Sequence, residues 1–162
     1  MRDCGDCTAC CEGWVEDRIE IGSKVIEMRP GKPCEHCTGE GCAIYVERPT
    51  DPCRVFNCAW LLNEADFPDE MRPDRCGAIV LVDRPWKDWD VVQAMPVGAE
   101  IPVDTLESLR QFTQNKNIPF VFYEREKVDG RFTGGGRQRA YGPPEFASAV
   151  KNHVTANDMV RF

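Results

Sequence analysis

Histidine is scarce in this chain, with two in 162 residues. Neither the Gly-x-Ser-x-Gly elbow of a serine hydrolase nor the His-Glu-x-x-His helix of a zinc protease is present, so a histidine-dependent hydrolase has little material. Long hydrophobic runs are missing as well. No stretch approaches the roughly 18 apolar residues of a bilayer span, so an integral membrane protein is not expected. Positive charge is in deficit: 20 Lys and Arg stand against 27 Asp and Glu, a formal net charge of -7. Duplex nucleic acid and anionic membrane surfaces both require basic patches, so neither is an expected partner. Met1-Arg2-Asp3-Cys4 places no apolar segment behind a basic one, which makes a reducing cytoplasm the expected compartment. The sequence shows no internal repeat and no low-complexity tail.

Cysteine is what the chain has in excess. Nine of its ten cysteines fall between Cys4 and Cys58, and the tenth, Cys76, follows soon after. In a reducing compartment such a cluster points to metal ligands or redox groups ahead of structural disulfides. Cys4-x2-Cys7 is a metal-chelate spacing, because a turn over two intervening residues aims both sulfurs at one ion while its N–H groups point inward. Cys7-x2-Cys10 repeats it. Cys10 and Cys11 are adjacent, and neighbouring side chains diverge on any regular backbone, so the pair is simplest to satisfy with two different metals.

Cys4, Cys7, Cys10, Cys11, Cys34, Cys42, Cys53 and Cys58 make eight sulfurs, enough for two tetrahedral four-thiolate sites. Cys34-Glu35-His36-Cys37 is itself a chelate spacing, so Cys37 or His36 is able to replace one of the eight. Zinc is the first expectation. An iron-sulfur cluster is the alternative, because Cys4-x2-Cys7-x2-Cys10 matches the first three ligands of the bacterial ferredoxin run, although the usual x3-Cys-Pro continuation is absent. Disulfides or metal-free thiols are the bland third reading. Arg2, Arg18, Arg48 and Arg54 are the cations nearest in sequence, available to compensate thiolate charge, fix the backbone or form surface ion pairs with Glu47 or Asp51.

These residues carry a resemblance. Cys4-x2-Cys7-x2-Cys10-Cys11, followed by Cys42-Ala43-Ile44-Tyr45-Val46-Glu47-Arg48-Pro49-x3-Cys53-Arg54-Val55-Phe56-x-Cys58, resembles the YkgJ-like family of zinc- or iron-chelating domains over residues 4–62. It is similar in part to the cysteine signature of flagellin lysine methylases. The resemblance implies a metal module able to accompany enzyme activity, and it supplies no reaction. Cys37 and Cys76 look like additions to the family pattern.

The fold class expected is α+β: an irregular, cysteine-rich, metal-stapled lobe over residues 1–76, packed on a small sheet with two or three helices over residues 77–162, with one continuous domain as the alternative. The first lobe is too poor in large apolar residues to fold on burial alone. Ile19 and Ile21 read as a short strand and residues 23–28 as a turn and a half of helix. Asp51-Pro52 reads as an N-cap and first-turn proline opening a helix over residues 52–64. Residues 77–83 and 89–95 read as a hairpin, 105–115 as a helix opened by a capping box at Asp104 and Glu107, and 118–123 as a third strand. Gly134-Gly135-Gly136 reads as a flexible loop, and a last helix follows Pro143 with Phe146, Val150 and Val154 on one face. His153 on that helix reads as a surface or packing residue. Trp86 and Trp89 are expected to pack across their turn, and Glu12, Glu16, Asp17 and Glu20 to be a solvated face. The partners expected are metal ions, with room for a protein partner; the residues do not say whether the chain is an enzyme.

Overall fold

Gly22, with a φ of 60°, turns the chain between the antiparallel strands β1 (Asp17–Ile21) and β2 (Lys24–Met28) in a computed structural model that describes residues 2–63 and 66–153. Residues 23–28 are thus a strand and not the helix expected. The reason is pairing: Ile19 sits opposite Ile26, and Ile26 and Met28 alternate inward from β2, a period that a helix cannot supply.

Helix α1 (Ala59–Leu62) is much shorter than the helix expected from Pro52. Residues 51–55 form turns instead, and the Asn57 amide donates to the carbonyls of Arg54 and Val55 at 3.4 and 3.2 Å. Those side-chain bonds offer the backbone an alternative to the helical ladder. Helix α2 (Pro73–Cys76) carries its proline at the first helical position, where no N–H is needed.

The larger sheet is built from β3 (Ala78–Trp86), β4 (Trp89–Pro96), β5 (Phe120–Val128) and β6 (Arg131–Tyr141), in that spatial order. β3 with β4 and β5 with β6 are antiparallel, while β4 and β5 are parallel and joined through helix α3 (Val103–Lys116). α3 starts one turn-corner earlier than the capping box implied. Pro102 is its N-cap and no side chain caps it. Helix α4 (Pro144–His153) closes the described fold. The class is α+β.

β6 replaces the expected glycine loop. Gly136 pairs with Arg125, and a Cβ there would run into the backbone of Glu124, so this glycine serves close approach and not flexibility. The central strands are buried on both faces where they pair, over residues 91–96 of β4 and 120–122 of β5. Val92, Ala94, Phe120 and Phe122 join one core with Leu109 of α3, Ala59, Trp60 and Leu61 of α1, and Ala9 and Val15. Val91 and Val121 point the other way, under Phe146 and Val150 of α4. Trp86 and Trp89 each pack edge-on against Phe146, at 5.4 and 5.5 Å, instead of on one another. Val154 lies outside the described residues, as does the side chain of His153.

The cysteine-bearing segment is thus laid on the sheet. Arg125 of β5 fastens it: the guanidinium donates to the Trp14 carbonyl at 2.6 Å, to the Gly98 carbonyl at 3.1 Å and to the Pro96 carbonyl. Trp14 also meets Phe132 of β6 edge-on at 5.4 Å.

Candidate metal centre

Two tight turns present the chelate pairs. The Cys7 N–H donates to the Cys4 carbonyl at 3.0 Å, and the Cys37 N–H donates to the Cys34 carbonyl at 3.0 Å. Gly5 takes the positive φ of 57° that the first turn needs. Its N–H donates to Asp3 Oδ1 at 2.9 Å, and the Tyr45 hydroxyl donates to the same oxygen at 3.2 Å, which ties this turn to the chain after Cys42. The Cys34 N–H donates to the Cys11 carbonyl at 2.8 Å, Cys37 bridges Cys42, and Cys58 is the N-cap of α1.

The result is a cavity of about 290 Å³ whose wall includes Cys4, Cys7, Cys10, Cys11, Cys34, Cys42, Cys53 and Cys58. All eight sulfurs counted from the spacing therefore face one space. His36 lines it too; Cys37 and Cys76 do not. All ten cysteines are free thiols. Among the described residues, no three His, Cys, Asp or Glu side chains are already gathered closely enough to hold an ion. The thiols surround a space without converging on one point in it.

Electrostatics explain why they stand apart. Burial, then Cys58 and the neighbouring Cys11, Cys7 and Cys4 thiols, push Cys10 well above the usual thiol range. Burial and the thiols of Cys37, Cys42, Cys34 and Cys53 push Cys11 up to about 12. Burial is also the first cause of the upward shifts at Cys4, Cys7, Cys34, Cys53 and Cys58. Thiolates crowded here need a cation between them.

Other groups are set to accept thiolate charge. The N–H groups of Ala9 and Asp74 lie toward the Cys7 sulfur, that of His36 toward Cys34, and those of Leu61 and Trp60 toward Cys58, each favouring the thiolate. Arg48 favours ionisation at both Cys4 and Cys53. Its own N–H donates to the Tyr45 carbonyl at 2.5 Å, and Arg54 donates to the carbonyls of Val46 and Arg48 at 2.6 and 2.9 Å. Both arginines thus fix the 45–48 backbone.

Trp60 was legible only as part of an apolar helix face. It lines the cavity, is 8 % exposed, and its indole N–H is buried with no hydrogen-bond partner. Arg2 lies 4.9 Å and Arg72 5.9 Å from the centroid of its ring. A buried donor without an acceptor costs about 1–3 kcal/mol, so an acceptor inside the cavity would complete the site. Eight thiols, inward amides and an orphaned donor fit a thiolate-bound ion or cluster. No single residue type would have announced Trp60 or Arg72 from the sequence.

Cys76 has a different setting. Its Sγ faces the carbonyls of Met71 and Ala78 at 3.4 and 3.3 Å, and its own carbonyl accepts from Thr105 Oγ1 at 2.7 Å. Glu12 accepts from Thr8 Oγ1 at 2.6 Å and from the Trp14 indole at 2.9 Å, a bracing role within its own turn. No helix among the described residues is long and apolar enough to cross a membrane. Compared with known proteins, the chain matches no family model, no curated protein and no solved structure.

Proposed function

We propose that this chain is a cytoplasmic metal-binding protein of the YkgJ-like kind, holding zinc in closed four-cysteine sites that staple its amino-terminal segment onto the sheet. The observation that carries this reading is the single cavity walled by Cys4, Cys7, Cys10, Cys11, Cys34, Cys42, Cys53 and Cys58. A closed four-thiolate site has no open position for an activated water, so the metal's role is structural. A protein partner then finds a metal-shaped surface, and neither duplex nucleic acid nor a membrane is needed.

A second reading, an iron-sulfur redox protein or accessory subunit of a modifying enzyme, is favoured by one specific feature. The backbone N–H groups of Leu61 and Trp60 lie toward the Cys58 sulfur, and such donors tune cluster potentials. Anaerobic purification followed by elemental analysis separates the two. Colourless protein with about two zinc ions per chain supports the structural reading. Brown protein with iron and acid-labile sulfide replaces it with the cluster, and protein with neither metal overturns both.

A further inference from the structure

Seven of the eight cavity thiols divide into two groups by what they pack against, and the eighth, Cys42, follows Cys37 of the second group through their backbone β-bridge. Cys4, Cys7, Cys10 and Cys58 join the core that continues into the larger sheet. Cys11, Cys34 and Cys53 join a separate small cluster formed with Ile19, Ile26 and Met28 of the β1–β2 hairpin. The backbone draws the same line. The Arg2 N–H donates to the Leu61 carbonyl at 2.9 Å, which brings the 4–7 turn beside Cys58 at the head of α1. The Cys34 N–H bond to the Cys11 carbonyl, at 2.8 Å, holds the 34–37 turn to Cys11 instead.

We propose that the cavity holds two separate centres, an inner one bound by Cys4, Cys7, Cys10 and Cys58 and an outer one bound by Cys11, Cys34, Cys42 and Cys53, with no sulfur shared. This rests on the metal-binding reading above. The backbone between Cys10 and Cys11 is a single irregular turn, Cys10–Trp14, in which adjacent side chains leave on different sides. The inner centre then takes Cys4, Cys7 and Cys10 from one short stretch and closes on the remote Cys58, whereas the outer centre takes each of its four ligands from a separate segment. Cys37 is a fifth thiol of the outer group; it does not face the cavity and is left without a ligand position. The two centres differ in support, since the inner one is anchored in the sheet's own core and the outer one in a hairpin.

The test uses the full chain loaded with cadmium and read by cadmium NMR together with metal content. Two resonances in the four-thiolate region with no cadmium–cadmium coupling are expected from the wild type. Coupling through a bridging sulfur would overturn the division, and needs no variant that risks misfolding. Cys7→Ser and Cys34→Ser are each expected to fall from two ions to one, with Cys7→Ser keeping one wild-type resonance and Cys34→Ser keeping the other. Loss of both ions in both variants, or survival of the same resonance in both, would also overturn it. Cys37→Ser is expected to keep both ions, and loss of one would break the assignment of Cys42. A wild type that binds no metal sinks the parent reading instead, so the two failures are distinguishable.

Discussion

Loading the cavity with zinc at pH 7 is expected to expel about four protons for each ion bound. The number follows from four thiols per ion, each protonated at pH 7 and held so more firmly by its surroundings. With Cys11 pushed from 9.0 to about 12, roughly one molecule in 10⁵ carries it as thiolate at pH 7, against roughly one in 10² for an unshifted thiol. Cys4, Cys7, Cys10, Cys34, Cys53 and Cys58 are shifted the same way. Each enters as a thiol and must lose its proton to become a ligand. Proton release on binding means that affinity climbs with pH, by about four decades per ion per pH unit while pH stays below the raised values. The metal-free fold has the opposite sign. Its raised thiol values favour the folded chain below the ordinary value of 9.0, and that contribution is lost as pH rises toward about 12 at Cys11. Titration calorimetry in two buffers of different ionisation heat reads the count directly. About eight protons per chain at saturation are expected; fewer than about two per ion would mean thiolates already formed, and would refute the argument from burial.

Three further changes test separate parts of the structure. Cys76→Ser should leave metal content unchanged, because the hydroxyl keeps a donor toward the Met71 and Ala78 carbonyls, and should cost about 1 kcal/mol in thermal unfolding from lost packing. Trp60→Phe should keep the ring beside Arg2 and Arg72 but remove the indole donor, speeding metal transfer to a chelator by about tenfold; an unchanged rate would show that no acceptor meets it in the loaded protein. Gly13→Ala should destabilise the amino-terminal segment by at least about 1–3 kcal/mol, since Gly13 has a φ of 87° and an added Cβ would strike the backbone of Arg29; urea unfolding followed at Trp14 checks it.

The sheet was readable where apolar period and burial agree. Val91, Val92 and Ala94 on β4, Phe120 and Phe122 on β5, and Leu109 on α3 are all buried, and each lay in a segment whose pattern named its element. β6 escaped because Arg131–Tyr141 is mostly exposed and carries three successive glycines, so its strand character comes from backbone pairing with β5 and leaves no side-chain signature. Cys4, Cys7, Cys10 and Cys34 of the cavity wall were legible in Cys-x2-Cys spacing, a local property of turns, and the others only in the cysteine count. Which of them lie together was not, because it depends on Cys58 packing with Cys4 and Cys10 across a long loop. Arg125 was invisible for the same reason: its bond to the Trp14 carbonyl spans 111 positions.

The distribution of buried side chains explains why thiols occupy this part of the chain. Across residues 17–56 the buried positions are Ile19, Ile26, Met28, Cys34 and Pro52, while residues 78–81 and 91–96 of the larger sheet are buried without a break. Ordering each residue costs about 1–2 kcal/mol of backbone entropy, and a fully buried aliphatic side chain returns about 1.5–3 kcal/mol. The sheet meets that cost with apolar area, whereas the hairpin and the turns around Cys34, Cys42 and Cys53 bury too little to do so. On the proposed metal-binding reading, a cross-link acting through sulfur would supply the missing term without adding bulk, where the fold is thinnest. Chelation should therefore strip amide-exchange protection from residues 17–56 while β3, β4 and β5 keep theirs; uniform loss across both would show that the metal holds the sheet as well.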